Sequence, residues 1–328
     1  MKELEVFRYD MGGSSSAIAS QRTICLILSA IIMIQLLSQS SHAEVKNYAE
    51  DWDEDITITG GRTILVEEIS ATWCTSCADI DPFLQQVADA HGSRISIVTY
   101  HPTDGEDAFQ PEAAKYRIER MKSINSDVGS TPSFVVESGE LRIGPDSWPD
   151  VQKDILKEET NRQEFSKLSF SISKLGQQYS ATVGNIELRE VEYETQLTFM
   201  LMAHEMEVPD EFFNPGEDYR DRVVIATSSC NLNSNSLSNV GFSNVSGTNC
   251  LDDFTVNFPA NGKFSLILIH EATDSAVQSN SNYASTLGVV EFAYRDIEIK
   301  NDSNFMPLVF FSMIAIGVIL VIYDRKKA

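Results

Sequence analysis

Along residues 56–162 the apolar positions fall in short runs interrupted by stretches at helical spacing. Ile56-Thr57-Ile58-Thr59 ahead of Gly60-Gly61 fits an edge strand that ends in a turn, and 63–69 and 95–100 are denser β-branched and aliphatic runs that read as strands. Between them Ile80, Phe83, Leu84 and Val87 share one stripe of a 3.6-residue period, predicting a helix over 79–91 that Gly92 stops. A loop over 101–110 leads into a helix over 111–121, with Pro111 suited to the first turn, and a closing helix is predicted over 148–162. Near Glu164 the period changes to two. Seven short runs at 168–173, 178–186, 195–203, 222–227, 254–258, 263–270 and 288–294 are separated by turn residues, and in the sixth Phe264, Leu266, Leu268 and His270 oppose Ser265, Ile267 and Ile269. That spacing predicts an antiparallel β-sandwich of immunoglobulin-like type over 163–300, with His204 and His270 as strand-end polar residues. The acidic stretch 44–55 reads as a short leader.

Both ends of the chain are apolar in a different way. Arg22 precedes the run 24–37, and Ser41-His42-Ala43 offers small residues where a signal peptidase cuts, so 1–43 reads as a signal peptide cleaved after Ala43. The polar stretch 1–21 is long for such a segment, which leaves open a start at Met11 or an uncleaved anchor; Cys25 is assigned no chemistry. Residues 305–323 form a 19-residue apolar stretch, about 28 Å as a helix, and the basic tail 324–328 follows it. These features predict a type I single-pass membrane protein with a transmembrane helix at 305–323, a cytoplasmic tail, and the bulk of the chain outside the cytoplasm.

With 328 residues, 42% of them hydrophobic, the chain can bury two modest cores. The formal net charge is −23, from 48 acidic and 25 basic residues, which argues against nucleic acid as a partner and suits an exposed, soluble ectodomain. Asn244-Val245-Ser246 and Asn301-Asp302-Ser303 are glycosylation sequons, relevant only in a glycosylating host.

The candidate chemistry is the motif Trp73-Cys74-Thr75-Ser76-Cys77, placed where a strand gives way to a helix. A thiol at the first turn of a helix faces unpaired backbone N–H groups and the positive end of the helix dipole, so Cys74 is the expected nucleophile. Cys77, one turn on, can attack a mixed disulfide formed there. Alternatively the pair is half of a zinc site or an inert disulfide; a second Cys-x-x-Cys or Cys-x-x-His that would support zinc is missing from the sequence. Cys230 and Cys250 flank an Asn/Ser/Gly-rich loop and, outside the cytoplasm, are expected to form a structural disulfide worth about 3 kcal/mol; the alternative, a second redox centre, is disfavoured by a spacing too wide for a helix-borne pair.

Several of these features together resemble the thioredoxin superfamily over about residues 60–160. Pro82 stands where that family kinks its active-site helix, Gly129-Ser130-Thr131-Pro132-Ser133-Phe134-Val135-Val136 resembles its cis-proline loop and following strand, and Ser138-Gly139-Glu140 resembles the next hairpin turn. The resemblance implies an α/β thioredoxin-like domain over 44–162 ahead of the sandwich. It also implies a client site at Trp73, Thr131 and Pro132, and a proton-accepting role toward Cys77 for Glu68, six residues before Cys74. An ordinary edge or surface glutamate is the competing reading of Glu68. The Thr-Ser dipeptide between the cysteines and the lack of a lysine on 95–100 depart from the family and leave the direction of electron flow open. His101, at the end of a strand expected near the motif, reads as a solvated loop residue or, alternatively, as a modulator of the thiolate or a copper ligand with the two cysteines. The two-domain order is also similar, more loosely, to outer-membrane-protein-related surface proteins of bacteria and archaea.

The expected function is a membrane-anchored, extracytoplasmic thiol–disulfide oxidoreductase. It would act on exported client proteins, need no cofactor or metal beyond the Cys74–Cys77 pair, and be reset by a separate membrane electron carrier. The alternative is a non-catalytic cell-surface binding or adhesion protein on the same scaffold, or an endoplasmic-reticulum relative with the same chemistry.

Overall fold

The structure, a computed structural model, describes residues 44–296 apart from 51, 53, 92 and 93. The expected signal segment 1–43, the span 305–323, the tail 324–328, the stop at Gly92 and the second sequon lie outside the described residues. Among the described residues no helix is long and apolar enough to cross a membrane.

The chain begins with β1 (Glu44–Asn47) and β2 (Ile56–Gly60), then alternates β3 (Ile64–Ile69), α1 (Thr75–His91), β4 (Ile95–Tyr100), α2 (Glu112–Ile124), β5 (Ser133–Val136), β6 (Arg142–Ile143) and α3 (Trp148–Asn161). From there it is nearly all β: β7 (Leu168–Leu175), β8 (Gln178–Val183), β9 (Thr195–Ala203), β10 (Met206–Glu207), β11 (Tyr219–Arg220), β12 (Val223–Asn231), β13 (Leu237–Val240), β14 (Asn244–Ser246), β15 (Thr255–Pro259) and β16 (Phe264–Ala272). The short helix α4 (Asp274–Ser279) and β17 (Gly288–Arg295) complete it.

These strands do not sort into two domains' worth of sheet. One ten-stranded sheet runs β1-β17-β16-β9-β12-β4-β3-β5-β6, with β13 added alongside β12, and a five-stranded sheet runs β14-β15-β8-β7-β2. The joint is β12 against β4: Val223 lies opposite Thr99 in parallel register, and Thr99 N–H donates to the Arg222 carbonyl at 3.0 Å. The expected α/β thioredoxin-like domain followed by a separate immunoglobulin-like sandwich is therefore overturned. The molecule is mostly β, and its central sheet is shared by the two parts.

Burial explains why the sheets join. Every position of β16 is buried, and so is every position of β9 except its last. Phe199, Leu201, Phe264, Leu266 and Leu268 pack toward the five-stranded sheet, whereas Met200, Met202, Ile267 and Ile269 pack on the opposite face. A sandwich strand leaves one face to water; a strand apolar on both faces needs a layer on each side. Here α2 supplies the second layer: its Ala113, Ala114, Ile118 and Met121 cover Leu65, Ile69 and Val98 as well as Met200, Val224 and Ile267. One helix thus caps strands from both parts of the chain. On the other face Ile80, Leu84, Val151 and Ile155 of α1 and α3 pack on Ile64, Val66, Ile97 and Phe134.

The leader expected over 44–55 is instead structured. β1 pairs in parallel with β17, and Trp52 is buried against Tyr179, Phe292 and Tyr294. His270 is likewise no strand-end residue: it is buried, its Nδ1 sits 2.7 Å from Ser166 Oγ, and burial pulls its pKa down to about 4. His204 is also buried, 2.9 Å from Ser265 Oγ.

Cys230 and Cys250 are joined, with Cα atoms 5.6 Å apart, and both lie in the core between the sheets. The loop they bracket carries β13, β14 and the buried Phe242, so it is built on more than polar turns. Replacing both cysteines by serine is expected to lower unfolding stability by about 3 kcal/mol. Urea unfolding monitored by circular dichroism checks this, and an unchanged midpoint would show the bridge to be idle.

Candidate functional site

Ile64–Ile69 is buried along its whole length, and it delivers the chain to the edge where the cysteine motif sits. Ser70 N–H donates to the Tyr100 carbonyl at 3.1 Å, and Cys74 N–H closes a turn on the Ala71 carbonyl at 3.1 Å. The helix then starts at Thr75, four residues earlier than the apolar stripe predicts, so the motif itself forms the first turn. Cys74 stands at the N-cap position, and its sulfur accepts from the Cys77 N–H at 3.1 Å, as a capping side chain would. The two cysteines are disulfide-bonded, with Cα atoms 5.2 Å apart. Cys77 is 0% exposed and Cys74 5%, so Cys74 is the less buried residue of the pair. When the bond is reduced, the same N–H and helix dipole favour the Cys74 thiolate.

The segment 101–110, expected as a plain loop, is built under this turn. Asp107 Oδ2 accepts from Thr72 N–H at 2.8 Å and lies 2.8 Å from His101 Nδ1, and Ala108 N–H donates to Thr72 Oγ1 at 3.0 Å. Burial pushes the Asp107 carboxyl up, but the His101 and backbone hydrogen bonds outweigh it and hold the pKa below the ordinary value. His101 is fully buried and its ring meets Phe109 edge-on at 4.9 Å, so it is not a solvated loop residue. Among the described residues no three His, Cys, Asp or Glu side chains lie together as a metal site. Trp73 is half-buried and its indole N–H donates to Asp104 at 2.9 Å.

Thr131 and Pro132 lie at the same edge. Their peptide bond is cis, and the antiparallel register Ile69–Ser133 sets Pro132 level with Ser70, just before the motif. Thr131 is partly exposed, Pro132 is buried, and the Pro132 carbonyl accepts from Gly144 N–H at 2.8 Å.

Glu67 and Glu68, neighbours in β3, are both buried and project to opposite faces. Glu67 turns toward α2, where Arg117 Nη2 reaches it at 3.0 Å. Glu68 turns toward α1, with Oε2 accepting from Thr99 Oγ1 at 2.9 Å and Oε1 without a hydrogen-bond partner among the described residues. The edge or surface reading of Glu68 is thereby excluded. It lines a cavity of about 20 Å³ together with Asp81, Thr99, His101, Arg220, Asp221 and Arg222. Burial first, then the charge on Asp81, raise the Glu68 pKa well above that of an ordinary glutamate, and its bond from Thr99 offsets only part of this. Asp81 is pushed up to about 6 by burial, against the lowering effect of Arg220 and His101.

Asp81 and Arg220 are missed by the sequence reading. Asp81 is four residues after Cys77 and so shares its face of α1, a signal visible in the sequence. Arg220 comes from β11, far along the chain, and gives no sequence signal.

No protein-family model matches the chain, and no curated protein matches it either. Among solved structures it is similar to HBP35 of Porphyromonas gingivalis, at 13% identity and a TM-score of 0.50, over 73% of this chain and 78% of that one. It also matches a structural-genomics protein from Agrobacterium tumefaciens at 13% identity and a TM-score of 0.45, over 70% of this chain and 93% of that one. At these identities the likeness to HBP35 concerns the fold alone.

Proposed function

We propose that the protein is a thiol–disulfide oxidoreductase working outside the cytoplasm on exported clients. One observation carries this reading: the Cys74–Cys77 bond caps a helix, with the sulfur of the less buried residue, Cys74, hydrogen-bonded to a helix N–H. In the reducing direction the Cys74 thiolate attacks a client disulfide, forming a Cys74–client bond and releasing the first client sulfur as thiolate. Cys77 then attacks the Cys74 sulfur, the Cys74–client bond breaks, and the second client sulfur leaves. The proton lost by Cys77 goes to the carboxyl cluster of Glu68 and Asp81, of which Asp81 is the ionised member. Run backwards, the same steps oxidise a client dithiol, and a separate electron carrier resets the pair. Trp73, Thr131 and Pro132 border the place where an extended client segment would lie. The Cys230–Cys250 bridge supports an address where disulfides persist.

A second reading has its own observation. With Cys74 only 5% exposed and Cys77 at 0%, the pair also suits a permanently oxidised brace in a binding protein. Thiol alkylation across a series of redox buffers separates the two. An exchanger's pair titrates between about −120 and −270 mV, whereas a structural one resists reduction below about −300 mV. Cys74→Ser is expected to abolish insulin reduction by the full chain. Equal activity of wild type and variant, at zero or otherwise, would end the enzymatic reading.

A further inference from the structure

Two cavities meet at one ion pair. The inner one is lined by Glu68, Thr99 and His101, and an outer one by Ala78, Pro82, Glu217 and Tyr219. Only Asp81 and Arg220 line both. Arg220 Nε stands 3.7 Å from Asp81 Oδ2 and, like Asp81 Oδ1, Glu68 Oε1 and His101 Nε2, has no hydrogen-bond partner among the described residues. A proton held between Glu68 and Asp81 pairs two of these four buried atoms, and the inner cavity has room for a water to serve the others.

Arg220 is also held in place from outside. Its Nη2 donates to Asn214 Oδ1 at 2.7 Å and its Nη1 to the carbonyls of Glu217 and Tyr219. The loop that holds it presses on α1 one residue beyond Cys77: a Cβ on Gly216 would come within 2.9 Å of Ala78 Cβ and 2.8 Å of Arg220 Nη2. The β-rich part of the chain thereby places a cation against the helix that carries the cysteines.

We propose that Asp81 and Arg220 form the proton outlet of the disulfide site, with Asp81, kept ionised by Arg220, taking the proton Cys77 gives up and passing it to the outer cavity. This rests on the exchange reading above and assigns the proton step to a pair outside the cysteine motif. Glu68, more deeply buried and facing the Asp81 charge, keeps its own proton and holds the inner end of the cavity. The other groups facing the pair are His101 with its partner Asp107, Asp221 bound to His204, Arg222 at the joint between β4 and β12, and Glu217 on the outer side. Arg220 acts here as a positioning residue. In the closing step Cys77 loses its proton to Asp81, the Cys77–Cys74 bond forms, and the Cys74–client bond breaks.

The test uses the full chain, reduced, with bis(2-hydroxyethyl) disulfide as substrate across about pH 5 to 9. Attack by Cys74 releases one 2-mercaptoethanol, and closure by Cys77 releases the second. In Asp81→Asn and Arg220→Met, closure is expected to slow about tenfold to a hundredfold at neutral pH, with its acid limb moved upward and the Cys74 mixed disulfide accumulating in the mass spectrum. Arg220→Lys, which keeps the charge, should recover most of the rate. An Arg220→Met profile that overlays wild type, or a uniform loss at every pH that Arg220→Lys does not relieve, would overturn the outlet. A wild type no faster than Cys74→Ser would overturn the exchange reading and the outlet with it.

Discussion

Arg117→Met is expected to lower unfolding stability by about 3–5 kcal/mol, the usual cost of stripping a buried charge of its partner. Arg117 lies in α2 and is almost wholly buried, donating from Nη1 to Glu271 at 2.9 Å, from Nη2 to Glu67 at 3.0 Å and from Nε to Tyr100 at 3.3 Å. Glu271 also accepts from Thr198 at 2.6 Å and lies 3.4 Å from Arg120, which in turn pairs with Asp274. The network therefore joins β3, α2 and β16, elements from both ends of the chain. Burial alone would raise the Glu271 carboxyl, but Arg117 and Arg120 outweigh it and bring the pKa down to about 2. A depressed carboxylate contributes stability above its unfolded pKa of about 4.3. That contribution is lost as pH falls from there toward about 2. In the methionine variant Glu271 lacks much of this support and takes up a proton at higher pH. The gap between variant and wild type should therefore narrow on going from neutral pH to about pH 4. Thermal unfolding is the check: for about 250 ordered residues the loss corresponds to roughly 10 °C in Tm. A shift under about 2 °C at neutral pH would mean that the two parts are held by packing alone.

Trp52→Ala should cost about as much, 3–5 kcal/mol, because a large aromatic leaves a cavity its neighbours do not fill. The indole stacks on Tyr179 at 5.4 Å with the planes 6° apart, and Phe292 and Tyr294 meet it edge-on at 5.9 and 6.2 Å. It ties the segment after β1 into the core between the sheets. Chemical denaturation of the full chain measures the effect, and a variant as stable as wild type would return 44–55 to the status of a leader.

The individual elements were largely legible, because side-chain period is a local property. Ile95–Tyr100 and Thr195–Ala203 fall at the predicted limits, and the other runs of the β-rich part are displaced only at their ends. The joining of the sheets was not, since alternation says which way a side chain points and nothing about which strand lies alongside. A signal was present in Met200, Met202, Ile267 and Ile269, whose apolar second face demanded a cover that a two-layer sandwich cannot give. The adjacent Glu67 and Glu68 gave another, as two carboxylates in a strand buried on both faces require partners, and Arg117 and Arg120 sit on the otherwise apolar stripe of α2. Phe83, assigned to the stripe of α1, is 59% exposed, while Ile80 and Leu84 face the core. At the candidate site the cysteine pair was legible from its own spacing. His101 was misplaced because its partner Asp107 belongs to a loop with no periodicity, and Arg220 was missed because its nearness to Asp81 exists only once the sheets have joined.

The parallel pairing of β1 with β17 brings residues 44 and 295 to one border of the central sheet. From β17 to β3, the strand that leads to the cysteine motif, the sheet path takes five strand-to-strand steps, roughly 24 Å at the usual spacing. Anything that holds the molecule beside residues 44 and 295, whether a natural mooring or a sensor chip, would therefore grip the rim of the sheet, several strands away from the one that leads to the sulfur pair.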